Sequence, residues 1–246
     1  MTQMTVAFMG GYGYGYHTFY FDWTYILVII AVIISSAASM KMKSTFGRYS
    51  SVPSRSGLSG AEAAQRILHA AGIFDVQIKH IRGSLTDHYN PKDKTLALSD
   101  TVYDSRSLAA VCVAAHECGH AVQHNRGYAP LSWRSAIVPI ANIGSSLAVP
   151  IFVLGLIFSM PPLMKIGIIF FMFAVLFQLV TLPVEVNASS RALRMLESCG
   201  ILGDDEIRSG RSVLSAAAMT YVAALAASLL QLLRLVILAG GRDRDK

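Results

Sequence analysis

Four long apolar runs dominate this sequence, each near the length of about 20 residues at which a helix crosses a bilayer. They are Tyr25–Ala38, extended by Phe19, Tyr20 and Phe21; Ile137–Met160; Leu163–Pro183; and Val213–Ala239. A backbone group in lipid finds no water, so such a run spans as a helix or stays out. The chain therefore reads as a mainly α membrane protein with about four transmembrane helices. Composition agrees. Of 246 residues, 53% are hydrophobic and 15% charged, which excludes disordered chains and basic nucleic-acid tails. The formal charge of +6 comes from 21 Lys and Arg against 15 Asp and Glu. In a membrane protein this surplus reports topology and lipid contact first, and no nucleic-acid partner is expected. Cys112, Cys118 and Cys199 form no CxxC and indicate no disulfide-built fold.

The spans divide the chain. Residues 1–18 form a Gly/Tyr-rich lead-in that reads as flexible and lacks the basic start of a signal peptide. Tyr20, Trp23 and Tyr25 read as an interfacial aromatic belt for the first span, 19–40. Pro161-Pro162 forces a tight connection, so 135–183 forms a membrane hairpin, with Gly144, Ser145, Ser146 and Ala148 allowing close approach. The last run, 213–240, is rich in Ala and carries Arg234 near its end; it either spans or packs partly against protein. A charged tail, 241–246, follows. No Lys or Arg precedes the first span, whereas Lys41–Arg134 holds twelve, and Glu185–Arg211 adds Arg191, Arg194, Arg208 and Arg211. The positive-inside rule then places the N-terminus outside and the polar segments 41–134 and 184–212 in the cytoplasm.

Residues 41–134 read as a small α+β unit. Ser59 and Glu62 make a capping box, and Ala63, Ala64, Ile67, Leu68 and Ala71 recur at helical spacing up to Gly72. Val76–Ile81 alternates as a strand, Asn90–Asp93 is a turn, and Thr95–Ser99 is a second strand. A helix from near Ser105 to about Gln123 carries His116-Glu117-Cys118-Gly119-His120. Positions i and i+4 share a helix face, so both imidazoles reach one ion. Imidazole suits zinc, zinc lowers the pKa of a water it binds to about 7, and the adjacent Glu117 completes an acid/base pair. Cys118 faces away and reads as a small buried hydrophobe. His124 lies another turn on, where each four-residue step drifts about 40°. It reads as a helix-end cation or a transition-state donor rather than a ligand. Polar residues at both ends make this helix too short and too polar to span.

Catalytic zinc takes three protein ligands and one open position. Topology points to Glu185: two crossings after His120 return the chain to the same side with Glu185 at the hairpin's end. Ser189 stands one turn on, placed to hydrogen-bond a ligand. Glu197 and Asp204-Asp205-Glu206 read as a helix end and a solvated loop. Arg191 and Arg194 read as a solvated helix face, with an oxyanion or a lipid phosphate as the functional alternative.

These residues carry a resemblance. The chain resembles the YugP-type neutral zinc metallopeptidases, membrane proteins of bacteria, along nearly its whole length. The likeness runs through Phe21–Tyr25, Lys43–Phe46, Ser56–Glu62, Leu85–Tyr89, the histidine motif, Gly127–Leu131, Thr181–Glu185 and Leu230–Leu235. More distantly it is similar to HtpX-type proteases and CAAX prenyl endopeptidases, which also place a membrane hairpin between the zinc histidines and a ligand glutamate. The resemblance implies one Zn2+ at His116, His120 and Glu185, Glu117 as base, and a gluzincin-like domain with a cytoplasmic active site in the bacterial plasma membrane. It also implies a peptide or protein substrate. After the ligand glutamate the family pattern is Phe-Asp-Ala-Ser-Arg-Arg; here Val186-Asn187-Ala188-Ser189-Ser190-Arg191 stands. Asn187 then acts beside the ligands without charge. By the HtpX-type likeness, Leu96, Ala97 and Leu98 form an edge that pairs with extended substrate. His88 is either an oxyanion donor or a structural loop histidine.

Three functions compete: a membrane zinc endopeptidase, a non-catalytic zinc-binding quality-control or scaffold protein, and a transporter. The intact His116, Glu117, His120 and Glu185 argue for the first. A transporter needs ionisable residues inside the spans, and besides Lys165 at the hairpin turn only Arg234 lies there. Oligomeric state is left open.

Overall fold

The computed structural model describes residues 22–243, with side chains to residue 240. The Gly/Tyr lead-in, Tyr20 and the final residues of the tail lie outside this range. In chain order the elements are α1 (Tyr25–Ser50), α2 (Gly60–Ala70), β1 (Gln77–Ile81), β2 (His88–Asn90), β3 (Thr95–Ser99), α3 (Leu108–Asn125), α4 (Ala129–Ile157), α5 (Pro161–Ser198) and α6 (Asp204–Asp243). Among the described residues, α1, α4, α5 and α6 are long and apolar enough to cross a bilayer. Their large apolar side chains point outward, among them Ile33, Ile143, Ile169 and Leu229. That orientation suits lipid, whose chains are as apolar as leucine.

The hairpin of α4 and α5 turns at Pro161, which occupies the start of α5 where its missing N–H costs nothing. Small residues bring the two helices together. A Cβ on Gly167 would stand 2.8 Å from the Cβ of Phe152, and one on Gly155 would stand 2.7 Å from the backbone nitrogen of Met164. Arg234 does not simply reach for water. Its guanidinium lies 3.8 Å from Asp22, donates to the Thr24 hydroxyl at 3.3 Å, and sits 4.3 Å from the Tyr25 ring centroid. The end of α6 thus meets the start of α1, and the charge is neutralised there.

Outside the apolar helices, Ser59 and Glu62 form the reciprocal capping box at the start of α2, with bonds of 2.7 and 3.2 Å. The sheet order is β1-β3-β2. This corrects the reading of Leu96, Ala97 and Leu98 as an edge. β3 is central, parallel to β1 and antiparallel to β2, and buried throughout. At Leu96 and Ala97 neighbours flank the strand on both sides, leaving no room there for an added strand. The short β2 occupies a stretch read from sequence as loop, and Lys94, with φ of 51°, closes the turn into β3.

Packing and helix continuity run across the divisions read from sequence. The core under the sheet draws Leu68, Leu96, Leu108 and Val111 together with Leu196, Ile201 and Leu214, so 41–134 does not bury its apolar face alone. Nor do 184–212 form one helix. α5 runs unbroken through Pro183 to Ser198, the chain turns at Gly200 with φ of +61°, and α6 begins at Asp204. Likewise α1 continues beyond residue 40 to Ser50.

Candidate metal centre

α3 and α5 build the site. The α3 cap is Ser107, whose hydroxyl accepts from the Ala110 N–H at 3.2 Å. Small residues then let α3 sink among its neighbours: Ala109, Ala110, Ala114, Ala115 and Cys118 are fully buried. At Gly119 an added Cβ would lie 2.6 Å from the Ala188 carbonyl oxygen. The two backbones therefore touch where glycine allows it, between the two histidines in register with the carboxylate.

His116 and His120 stand edge to face with ring centroids 4.8 Å apart. Their Nε2 atoms lie 3.2 and 3.5 Å from Oε2 of Glu185, which is 2% exposed. One donor atom from each of the three residues falls within 4.8 Å of the others. The opposite ring nitrogens are held. Ser189 Oγ is 3.1 Å from His116 Nδ1, and Gln123 Oε1 is 3.0 Å from His120 Nδ1. Gln123 Nε2 donates to the Val184 carbonyl at 2.8 Å and to Asn187 Oδ1 at 3.0 Å. That fixes the amide with its oxygen toward His120, so His120 Nδ1 donates to it and Nε2 is the nitrogen turned toward Glu185. Two imidazole lone pairs and a carboxylate, each supported from behind, fit a divalent ion such as zinc.

The charge balance follows from burial. A carboxylate this deep requires partners, and Arg134 supplies one 3.5 Å from Oε1. Tyr221, from α6, lies within the electrostatic reach of Glu185 and Glu117. Burial would lower the pKa of His120, but hydrogen bonding to Glu185, the charge of Glu117 and the Gln123 contact raise it above its ordinary value. Glu117 is 8% exposed and lines a cavity of about 200 Å³ with His116, Val113, Tyr221, Thr220 and Phe46. The cavity opens an approach to the ion site between α1, α3 and α6.

Other residues singled out from sequence lie elsewhere. His124 Nδ1 is 2.8 Å from the Tyr89 hydroxyl, tying α3 to β2, and it is not in the donor cluster. His88 stands exposed on β2 with Nδ1 2.9 Å from the Thr86 carbonyl oxygen. Asn187 Oδ1 accepts from Gln123 and from Arg191 Nε at 2.7 Å. Cys118 packs with its sulfur 3.6 Å from the Ala64 carbonyl. Sequence reasoning missed Gln123, Arg134 and Tyr221. Gln123 carried a signal, being three residues beyond His120 and hence on its helix face. The other two come from distant helices and carried none.

Comparisons with known proteins agree with this geometry. The family profile described as "Putative neutral zinc metallopeptidase" matches residues 24–240. The chain is 47% identical over 213 residues to "Putative membrane protease YugP" of Bacillus subtilis (strain 168), covering 86% of this chain and 95% of that protein. No solved structure is a significant match.

Proposed function

Because the chain belongs to the family of neutral zinc metallopeptidases, we propose that it is a multi-pass membrane endopeptidase that hydrolyses peptide bonds at the His116–His120–Glu185 centre. The observation that carries this reading is the convergence of those three donors beside Glu117, across a membrane hairpin. Bound zinc supplies Lewis acidity, polarising a carbonyl and making water more acidic. The chain's own residues do the rest. Glu117 accepts a proton from the attacking water and delivers it to the departing amide nitrogen. Ser189 and Gln123 hold the imidazoles in one orientation, and Arg134 steadies the far oxygen of Glu185. Tyr221, facing the same cavity, donates to the developing oxyanion.

The excess of Lys and Arg in 41–134 and 184–212 supports a cytoplasmic active site in a bacterial plasma membrane. A centre at the ends of spanning helices suits unfolded or membrane-proximal polypeptide. In this reading 41–134, completed by α5 and α6, is the gluzincin-like part of the enzyme.

The test combines zinc content with hydrolysis of an unfolded protein by the purified chain. Glu117→Gln retains the ion and loses activity by roughly 10²–10⁴-fold. Glu185→Ala loses the ion. Unaltered zinc content in Glu185→Ala removes that residue from the ligand set, and full activity in Glu117→Gln favours a non-catalytic zinc-binding scaffold.

A further inference from the structure

One cavity outside the metal centre gathers three arginines. Arg126 at the end of α3, and Arg191 and Arg194 on α5, line a space of about 240 Å³ whose other wall includes Ile67, Val122 and Met195. The guanidiniums are close enough for Arg126 and Arg194 to act on the charge of Arg191. Among the described residues no carboxylate lies within 4.0 Å of any of the three. Arg55, Arg106, Arg134 and Arg234, by contrast, each have one that near. Like charges converging on a cavity repel unless an anion lies between them. The planar fork of arginine matches a phosphate oxygen pair better than it matches single-point acceptors.

Arg191 is already oriented. Its Nε donates to Asn187 Oδ1 at 2.7 Å, and its guanidinium carbon lies 5.8 Å from the Tyr128 ring centroid. Both terminal nitrogens are left for a ligand. The cavity lies near the polar ends of two apolar helices. Arg126 stands three residues before α4, an apolar helix long enough to span. Arg191 is six residues beyond Glu185, about 9 Å along a helix axis. Tyr128 and the exposed Trp133 mark the interface. A second feature gives the cavity a consequence. Arg191 bonds Asn187, Asn187 accepts from Gln123, and Gln123 accepts from His120. One unbroken chain of hydrogen bonds joins Arg191 to a donor of the metal centre.

We propose that Arg126, Arg191 and Arg194 bind a phosphate group, in the first place that of an anionic lipid, and that the bound phosphate steadies His120 through Asn187 and Gln123. The second clause rests on the zinc reading above; the binding itself does not.

Binding is tested on the full chain in zwitterionic detergent, stripped of metal by chelator. Inorganic phosphate is titrated against chloride at equal ionic strength while thermal unfolding is followed. Saturating phosphate raises the Tm by about 2–4 °C, and Arg194→Gln and Arg126→Gln each remove most of that shift. The coupling is read as the rate at which a chelator draws zinc from protein in vesicles of phosphatidylcholine, with or without phosphatidylglycerol. The anionic lipid slows release by roughly 5-fold, at the lower end of ordinary couplings between sites, and not in Arg194→Gln. A phosphate shift without a vesicle effect keeps the phosphate site and overturns the lipid source. An equal shift in wild type and both variants overturns the site. So does a glutamate-rich peptide that stabilises more than phosphate through the same arginines. A chain that binds phosphate but no zinc refutes the metal reading alone.

Discussion

Along α5, most large apolar side chains before Pro183 face outward, and most apolar side chains after it face inward. In the first half Ile166, Ile169, Met172, Leu176 and Leu179 recur at helical spacing and are all exposed. In the second half Val184, Glu185, Ala188, Ser189, Ala192 and Leu196 recur at the same spacing and are all buried. One helix has two media. The first half, with so apolar an outward face, suits lipid; there, burying an apolar side chain against protein removes nothing from water, and packing rests on close contact through glycine. In the other half the usual gain of about 25 cal/mol per Å² of apolar surface applies. That half can therefore hold Glu185 and its partners inside a well-packed frame.

Breaking the frame has the largest expected effect. In Gly119→Val the new side chain meets the Ala188 backbone, where even a Cβ stands 2.6 Å from the carbonyl oxygen. Helix propensity would slightly favour replacing glycine, so any loss comes from forcing α3 away from α5. The expected outcome is loss of zinc binding with most helicity kept, read by metal content beside circular dichroism. Next comes Leu196→Ala, which opens a cavity at a residue with no exposure. It lowers unfolding stability by about 2–5 kcal/mol, measured by denaturant titration in detergent. Smaller again is Gln123→Met, which keeps the volume but removes the partner of His120 Nδ1. Zinc affinity falls by roughly 10–100-fold with little change in Tm of the metal-free chain; an unchanged affinity would show that the amide only fills space.

Much of this contrast is readable in the sequence, for reasons that differ by residue. The spans are legible because apolar length is a local property. The capping box at Ser59 and the pair His116 and His120 are legible because their spacing is set by helix geometry alone. Glu185 is legible as the carboxylate at the end of the expected hairpin, and the fold brings it to the two histidines. What stays hidden depends on contacts between remote segments. β2 has three residues, too few to show a period. The central place of β3 is decided by which strands pair, and a buried apolar run fits either an edge under cover or a centre. Arg134 reaches Glu185 and Tyr221 lines the cavity of Glu117 from two other helices, and nothing near them in the chain marks it. The continuity of the chain through residue 184 is hidden for a related reason. The change in sequence character there is a change of surroundings, and α5 passes through it without a break.

The smallest predicted effect tests the comparison most directly. Leu179 is 49% exposed on the lipid side of α5, whereas Leu196, on the same helix, has no exposure. The two residues are chemically identical and occupy the same helix, so Leu179→Ala and Leu196→Ala differ only in what replaces the lost methyl groups. At Leu196 a void opens between protein groups that relax only partly. At Leu179 a lipid or detergent chain moves in, and the leucine gave up no water contact on folding in the first place. Leu179→Ala is therefore expected to stay within about 0.5 kcal/mol of the parent chain, as surface replacements do, in the same titration. A loss at Leu179 as large as that at Leu196 would mean that this face of α5 is covered by protein, and the two-media account of the helix would fall with it.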